Sequence, residues 1–425
     1  MSLRFPLSVL LTALCGASWM LPVHWIGPLL SLIFVLLVPL QTRRRFRYLV
    51  ALSYYTAGSV GLLRGVAVFF DAHAPMWEGA FLWLGSAALL SAGWAFADQP
   101  WKALIVLLFD ALIPPLAFFD WLSPLSSAGA LFPDMGLAGL AALGTLFLLV
   151  DDLGIYKRHL MVLDTFEIRL QWGMVATLAG IAILANGLAA QPRNAPQGCR
   201  LHSCRLQGWL GVDLDVGEAR QSILTNQARH TAIVRETLAT LRTHKGVRVV
   251  LLPESLETDW AGNIWAIQRA IPRGQTWLVG MNVPRKPGLV TDSIVALQAA
   301  ALPAAALRHE GPPQILFSSA FPVPVSMWHP WSRGTGYTKS TNVGYSAAWW
   351  TPARKIEGRR TWASICYDQL LPFVWIEGVL QNPQVVLLTN NEWWAQGTGI
   401  PVIQRNTAWA WARLIGAPAI EAENA

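Results

Sequence analysis

The amino-acid sequence predicts a multi-pass α-helical membrane bundle followed by an α/β domain, and three observations predict it. Of 425 residues, 53% are hydrophobic and only 13% charged, which excludes disorder and is too apolar for an ordinary soluble chain. Long apolar runs fill the first 190 residues. From residue 191 onward charges appear throughout, and short β-branched runs alternate with helical patterns. The 22 tryptophans and 27 prolines exclude a plain helical bundle for the whole chain, and four cysteines are too few to staple it.

In order, the runs are Phe5–Met20, Trp25–Leu40, Leu49–Phe70, Gly79–Ala97, Ala103–Leu122, Met135–Val150 and Leu170–Ala190, which predicts about seven spans. Several reach the ~20 residues that cross about 30 Å of hydrocarbon; the shorter ones need flanking turns or tilt. A cleaved signal peptide would explain the first run but not those that follow. Arg43, Arg44, Arg45 and Arg47 lie between the second and third runs, and Lys157, Arg158, His159 and Arg169 between the sixth and seventh. The loops containing Asp71, Glu78 and Asp120 carry no Lys or Arg. The positive-inside rule therefore sets the N-terminus in the cytoplasm and, after an odd number of crossings, residue 191 on the exported side, the periplasm of a bacterial inner membrane. Arg64 and Asp110 fall inside runs, where a mutual pair, a lipid-headgroup contact or a polar crevice would lower the cost of burying charge. Pro114 and Pro115 predict a break in the fifth run.

The formal charge of +7 is uneven: residues 1–190 carry ten Lys/Arg against ten Asp/Glu, and residues 191–425 carry 22 against 15. That excess suits anionic lipid headgroups at least as well as nucleic acid. With no basic tail or aromatic-interleaved basic stripe, direct nucleic-acid binding is not expected.

Residues 191–208 open on a Pro/Gly-bearing stretch that reads as a linker between the bundle of residues 1–190 and a domain of residues 209–425. Cys199 and Cys204 sit in it, on the side where oxidation is permitted, which leaves a local disulfide open. Beyond it, Ile223–Thr243 has helical periodicity; Val247–Leu252, Thr276–Gly280, Trp362–Ile365 and Val385–Leu388 read as buried strands; and Asn406–Ile415 reads as a late helix. The residues that can carry chemistry follow these strands: Glu254 follows the first, Cys366 the third, Asn390 and Asn391 the fourth. Strand ends are where an α/β fold converges groups on a ligand. A lone cysteine after an apolar strand is commonly just packed there. With a partly desolvated Glu254 as base it becomes a candidate nucleophile, and Asp368 and Glu392 could set the local field or orient a ligand. No phosphate loop, dinucleotide fingerprint, H-E-x-x-H or G-x-S-x-G is present.

These residues resemble the carbon-nitrogen hydrolase, or nitrilase, superfamily, and the added membrane bundle is similar in organisation to the apolipoprotein N-acyltransferases. In such enzymes a glutamate, a lysine and a cysteine form the catalytic trio. Leu251-Leu252-Pro253-Glu254-Ser255 matches the glutamate motif, and Ile365-Cys366-Tyr367-Asp368 the cysteine motif, with aspartate where the acyltransferases usually have glutamate. Thr389-Asn390-Asn391-Glu392-Trp393-Trp394 resembles the following strand end, and Gln404 through Asn424 the closing segment. The resemblance implies a nitrilase-like αββα sandwich, with Glu254 as general base, Cys366 as nucleophile, the backbone N–H after Cys366 in the oxyanion site, and Asp368 and Asn391 shaping the pocket.

The lysine position departs from the pattern. Phe317-Ser318-Ser319, followed by Val323-Pro324, sets Ser319 where the lysine stands and Met327 where a further glutamate is expected. Arg308 and Lys339 are the nearby cations that could take over. The stretch from Phe321 to Trp331 resembles that of the TraB proteins of conjugative plasmid transfer systems and reads as an irregular lid over the pocket or against the membrane interface. The expected function is a cysteine-dependent amidase or N-acyltransferase that acts on a membrane-associated peptide or lipoprotein through an acyl-thioester. The alternative is a catalytically weakened assembly or maturation factor that contacts the conjugation pilus machinery. Neither implies a metal or organic cofactor.

Overall fold

The apolar runs of the first 190 residues become helices in the computed structural model, which describes residues 4–70, 76–152, 165–190, 206–217, 223–256, 267–299, 314–328 and 344–425. The helices are α1 Arg4–Ala17, α2 Ile26–Leu37, α3 Arg44–Gly58, α4 Leu62–Phe70, α5 Met76–Trp94, α6 Pro100–Leu112, α7 Ser127–Leu131, α8 Gly136–Asp152 and α9 Thr165–Ala190. The third run is thus two helices. The fifth stops at Leu112 because Ile113, ahead of Pro114, is forced into the extended region (φ −105°, ψ 115°).

Among the described residues, α9 alone is long and apolar enough to cross a membrane, over Trp172–Ala189. Pro124–Leu131 and Gly136–Val150, bent by 113°, could together make a second span. The expectation of about seven spans goes beyond this count. The 12 residues of α2 rise only about 18 Å, against about 30 Å of hydrocarbon.

Helices α1 and α3 cross closely because both carry glycine at the contact: a Cβ on Gly16 would lie 2.0 Å from Tyr54 O. The ring of Phe34 stacks on Tyr54 at 4.0 Å, and Trp19 Nε1 donates to the Tyr54 hydroxyl (2.8 Å). Arg47, counted among the basic loop residues, is buried and donates to Ala95 O (2.8 Å), at the end of α5, and to Gln41 O (3.0 Å) in the connection after α2. Of the alternatives open for Arg64 and Asp110, the mutual pair is not formed. Asp110 accepts from Trp94 Nε1 (3.1 Å) and the Tyr55 hydroxyl (3.5 Å), while Arg64 is exposed.

The chain divides into two units. The first holds Met1–Pro192, Leu370–Asn382 and Gly397–Gly416; the second holds Arg193–Gln369, Pro383–Gln396 and Ala417–Ala425. Two late helices, α11 Pro372–Gln381 and α12 Ile400–Ile415, therefore group with the N-terminal helices, although sequence order places them within residues 209–425. A buried asparagine in α12 shows one cause: Asn406 Nδ2 donates to Trp19 O (2.8 Å) and Leu21 O (3.0 Å).

The second unit is built on two sheets. The first contains β1 Trp209–Gly211, β2 Val249–Leu251, β3 Thr276–Lys286, β4 Leu289–Gln298 and β5 Gln314–Ser318 in that order, with β6 Gly344–Tyr345 also on β4. The second contains β7 Arg354–Ile356, β8 Arg359–Ile365, β9 Val385–Asn391 and β10 Ala419–Asn424, ordered β10-β9-β8-β7. Strands β1 to β3 are parallel, as are β8 to β10; the β3–β4 hairpin, β5 and β7 are antiparallel. Period-2 alternation sorts the core. Val249, Leu251, Leu278 and Ile294 point between the sheets, where they meet Ile365, Val385, Leu387 and Ile420. Val250, Leu252, Trp277 and Val279 point the other way, against Ile233, Val234 and Leu238 of α10 Ile223–Thr243.

Candidate active site

Two strand ends bring the chemistry together. After β2 the chain turns through Leu252, Pro253 and Glu254, and this turn lies directly against β3 because residue 280 has no side chain. A Cβ on Gly280 would sit 2.3 Å from Pro253 O and 2.5 Å from Glu254 Cα. Leu256 N–H then donates to Gly280 O (3.0 Å), and Ser255 takes the left-handed conformation (φ +47°) that bends the chain away. After β8, Cys366 is also left-handed (φ +51°), so the strand breaks at the residue whose thiol must be presented.

Glu254 is buried, 4% exposed, and Cys366 is half-buried. The Glu254 carboxyl interacts with the Cys366 thiol, the Asp292 carboxyl and the Asn391 backbone, and its Oε2 has no hydrogen-bond partner. Burial pushes Glu254 above the usual carboxylate range, with bonds from Asp292 and Cys366 acting against it. Asp292 is raised as well, first by burial and then by the Glu254 charge, so each of the two carboxyls disfavours ionisation of the other. The Cys366 thiol is pushed well up by burial and then by the charges of Glu254 and Asp292.

Asp368 acts on the backbone around the site. Its carboxylate accepts from Phe321 N–H (2.8 Å), Ala320 N–H (2.9 Å), Ser319 Oγ (3.2 Å) and Ile365 N–H (3.4 Å). Burial still raises it to about 7 against these donors. Ser319 is therefore buried and engaged: its hydroxyl is on Asp368 and its N–H donates to Asp292 O (2.8 Å). Asn391 meets Glu254 through its backbone, while its side chain accepts from Asn424 Nδ2 (2.8 Å). Glu392 begins the following turn, and its N–H donates to Asn424 O (2.8 Å). Phe321 packs on Trp328 (centroids 4.8 Å apart), in a turn closed by Val325 N–H to Trp328 O (2.9 Å); residues 329–331 of the expected lid lie outside the described residues. So do Arg308, Lys339, Cys199 and Cys204.

Asp292 was not expected from the sequence. Its signal is positional: on β4 it stands two residues before Ile294, which points between the sheets, so it carries a carboxyl on an inward face. Among the described residues no Lys or Arg pairs with Glu254, Asp292 or Asp368. None of them forms a cluster of three or more His, Cys, Asp or Glu placed to hold a metal ion.

No family model matches the chain. It is 29% identical to the conjugal transfer protein TraB of Agrobacterium fabrum (strain C58), covering 99% of this chain and 93% of that protein. It is 28% identical to a probable conjugal transfer protein TraB of Sinorhizobium fredii, covering 94% of each. Similar solved structures include a carbon-nitrogen hydrolase from Helicobacter pylori G27, at TM-score 0.35 and 11% identity over 51% of this chain and 72% of that one. An amidase from Nesterenkonia sp. AN1 matches at TM-score 0.29 and 13% identity over 43% of this chain and 66% of that one.

Proposed function

We propose that this chain, similar to TraB conjugal transfer proteins over most of its length, is a membrane-anchored nitrilase-like protein of conjugative plasmid transfer that forms an acyl-thioester on Cys366. The observation that carries the chemistry is the interaction of the buried Glu254 carboxyl with the Cys366 thiol. Cys366 Sγ attacks an amide carbonyl while its proton passes to Glu254. The tetrahedral intermediate then collapses, the C–N bond breaks, and the leaving amine takes that proton. Water or a second amine next attacks the thioester carbonyl and gives a proton to Glu254; the C–S bond breaks, the acid or new amide leaves, and the Cys366 thiolate takes that proton back, which makes the protein an amidase or an N-acyltransferase. The substrate class is a membrane-associated peptide or lipoprotein. In the proposed topology the N-terminus is cytoplasmic, about seven hydrophobic segments enter the inner membrane, and the α/β domain is periplasmic.

A second reading has its own support. Among the described residues no cation meets the three carboxyls, and without one the oxyanion would rest on backbone N–H groups such as that of Tyr367. Loss of one preorganised donor costs about 3 kcal/mol of barrier. That favours a catalytically weakened assembly or maturation factor that uses the pocket only to bind. Intact-mass measurement of purified protein exposed to a membrane extract separates the two. The enzyme reading expects an acyl adduct on the parent and none on Cys366→Ala or Glu254→Gln; no adduct on the parent leaves the assembly reading.

A further inference from the structure

A cleft of about 310 Å³ opens beside β5, with Ile315, Phe317, Trp350 and Pro352 as apolar lining and Arg285 and Arg354 within it. Both arginines are exposed. Arg285 Nε donates to Thr291 Oγ1 (3.2 Å), and among the described residues neither guanidinium meets a carboxylate. Trp350 is 51% exposed although it is an indole beside a cleft. Two uncompensated guanidiniums over an apolar wall select a ligand that joins an anionic oxygen group to an apolar body.

We propose that this cleft binds the phosphate of an anionic membrane-lipid headgroup, with Arg285 and Arg354 on the phosphate and the first acyl methylenes against Trp350, Pro352 and Ile315. The arginine fork matches phosphate oxygens, and an indole is stable where polar headgroups meet acyl chains. A nucleic-acid strand would need an extended track of cations with successive stacking platforms, not one cleft with two arginines and an apolar wall. The site uses neither Glu254 nor Cys366, so it stands whether or not the chain is an enzyme.

The test uses the full chain in a neutral detergent, titrated calorimetrically with dihexanoyl-phosphatidylglycerol, dihexanoyl-phosphatidylcholine, glycerol 3-phosphate and a thymidine oligonucleotide. The phosphatidylglycerol is expected to bind at least about tenfold more tightly than the other three probes. Arg285→Gln and Arg354→Gln should each weaken it about tenfold and Trp350→Ala several-fold, and Cys366→Ala should leave it unchanged. Both arginines are at the surface, so their variants keep the parent melting temperature. Equal affinity for phosphatidylcholine, or insensitivity to both arginine variants, overturns the proposal. So does glycerol 3-phosphate binding as tightly as the lipid, which would make this a site for free phosphate esters, or a preference for the oligonucleotide.

Discussion

Cys366 lies among Glu254, Asp292 and Asp368, and each carboxyl disfavours the thiolate, as burial does. A thiol in this field is inert until its proton has somewhere to go, and Glu254, whose carboxyl interacts with it, is the proposed acceptor. Iodoacetamide should accordingly label Cys366 more slowly at pH 7.5 than it labels free cysteine, with the rate rising only at alkaline pH. Ser319→Lys introduces a cation next to Asp368. A cation stabilises the thiolate, lowers the thiol pKa and raises the thiolate fraction at any pH below it, about tenfold per unit. Labelling of Cys366, followed by peptide mass, should accelerate about tenfold, whereas Ser319→Met, of similar bulk and no charge, should not. Equal rates in the two variants would mean that charge does not limit this thiol.

Elements rather than single residues decide where these groups stand. The ends of β2 and β8 were legible as apolar β-branched runs followed by Glu254 and Cys366, because hydropathy and period-2 alternation are local properties. Strand β4 was not: Thr291-Asp292-Ser293 interrupts its apolar pattern, and those polar residues are buried against partners on β3, in the turn after β2 and on β5. Gly280 on β3 controls how near the Glu254 turn can come. Gly280→Ala forces that turn outward, which should cost about 2–3 kcal/mol of stability and reduce acylation of Cys366. Melting temperature and adduct mass check this, with Gly173→Ala in α9, where a Cβ meets nothing within 4 Å, as the unaffected control. A parent-like Gly280→Ala would show that the turn is not held by this contact.

Across the whole molecule, apolarity and charge asymmetry predict an anchored chain with an exported α/β domain. Periplasm-active reporter fusions should be active after Ala190 and silent after Leu40 and Ala97. Activity after Leu40, or silence after Ala190, would reverse the proposed orientation. The third run is split and the fifth is cut short at Ile113, so a fusion series through residues 59–61 and 113–116 would also show which segments cross completely. Sequence alone determined the division between an apolar N-terminal region and a charged α/β region, and the strand ends that carry Glu254 and Cys366. Those features depend only on neighbours along the chain, through side-chain hydropathy and the periods of helix and strand. Tertiary structure alone decided that Asp292 joins Glu254, that Asp368 clamps Ser319 through Phe321, that an indole and a phenol bond one carboxyl oxygen of Asp110, and that α11 and α12 group with residues 1–192. Each of these depends on pairing between residues distant in sequence, where burial makes a polar group take whichever partner the packing delivers.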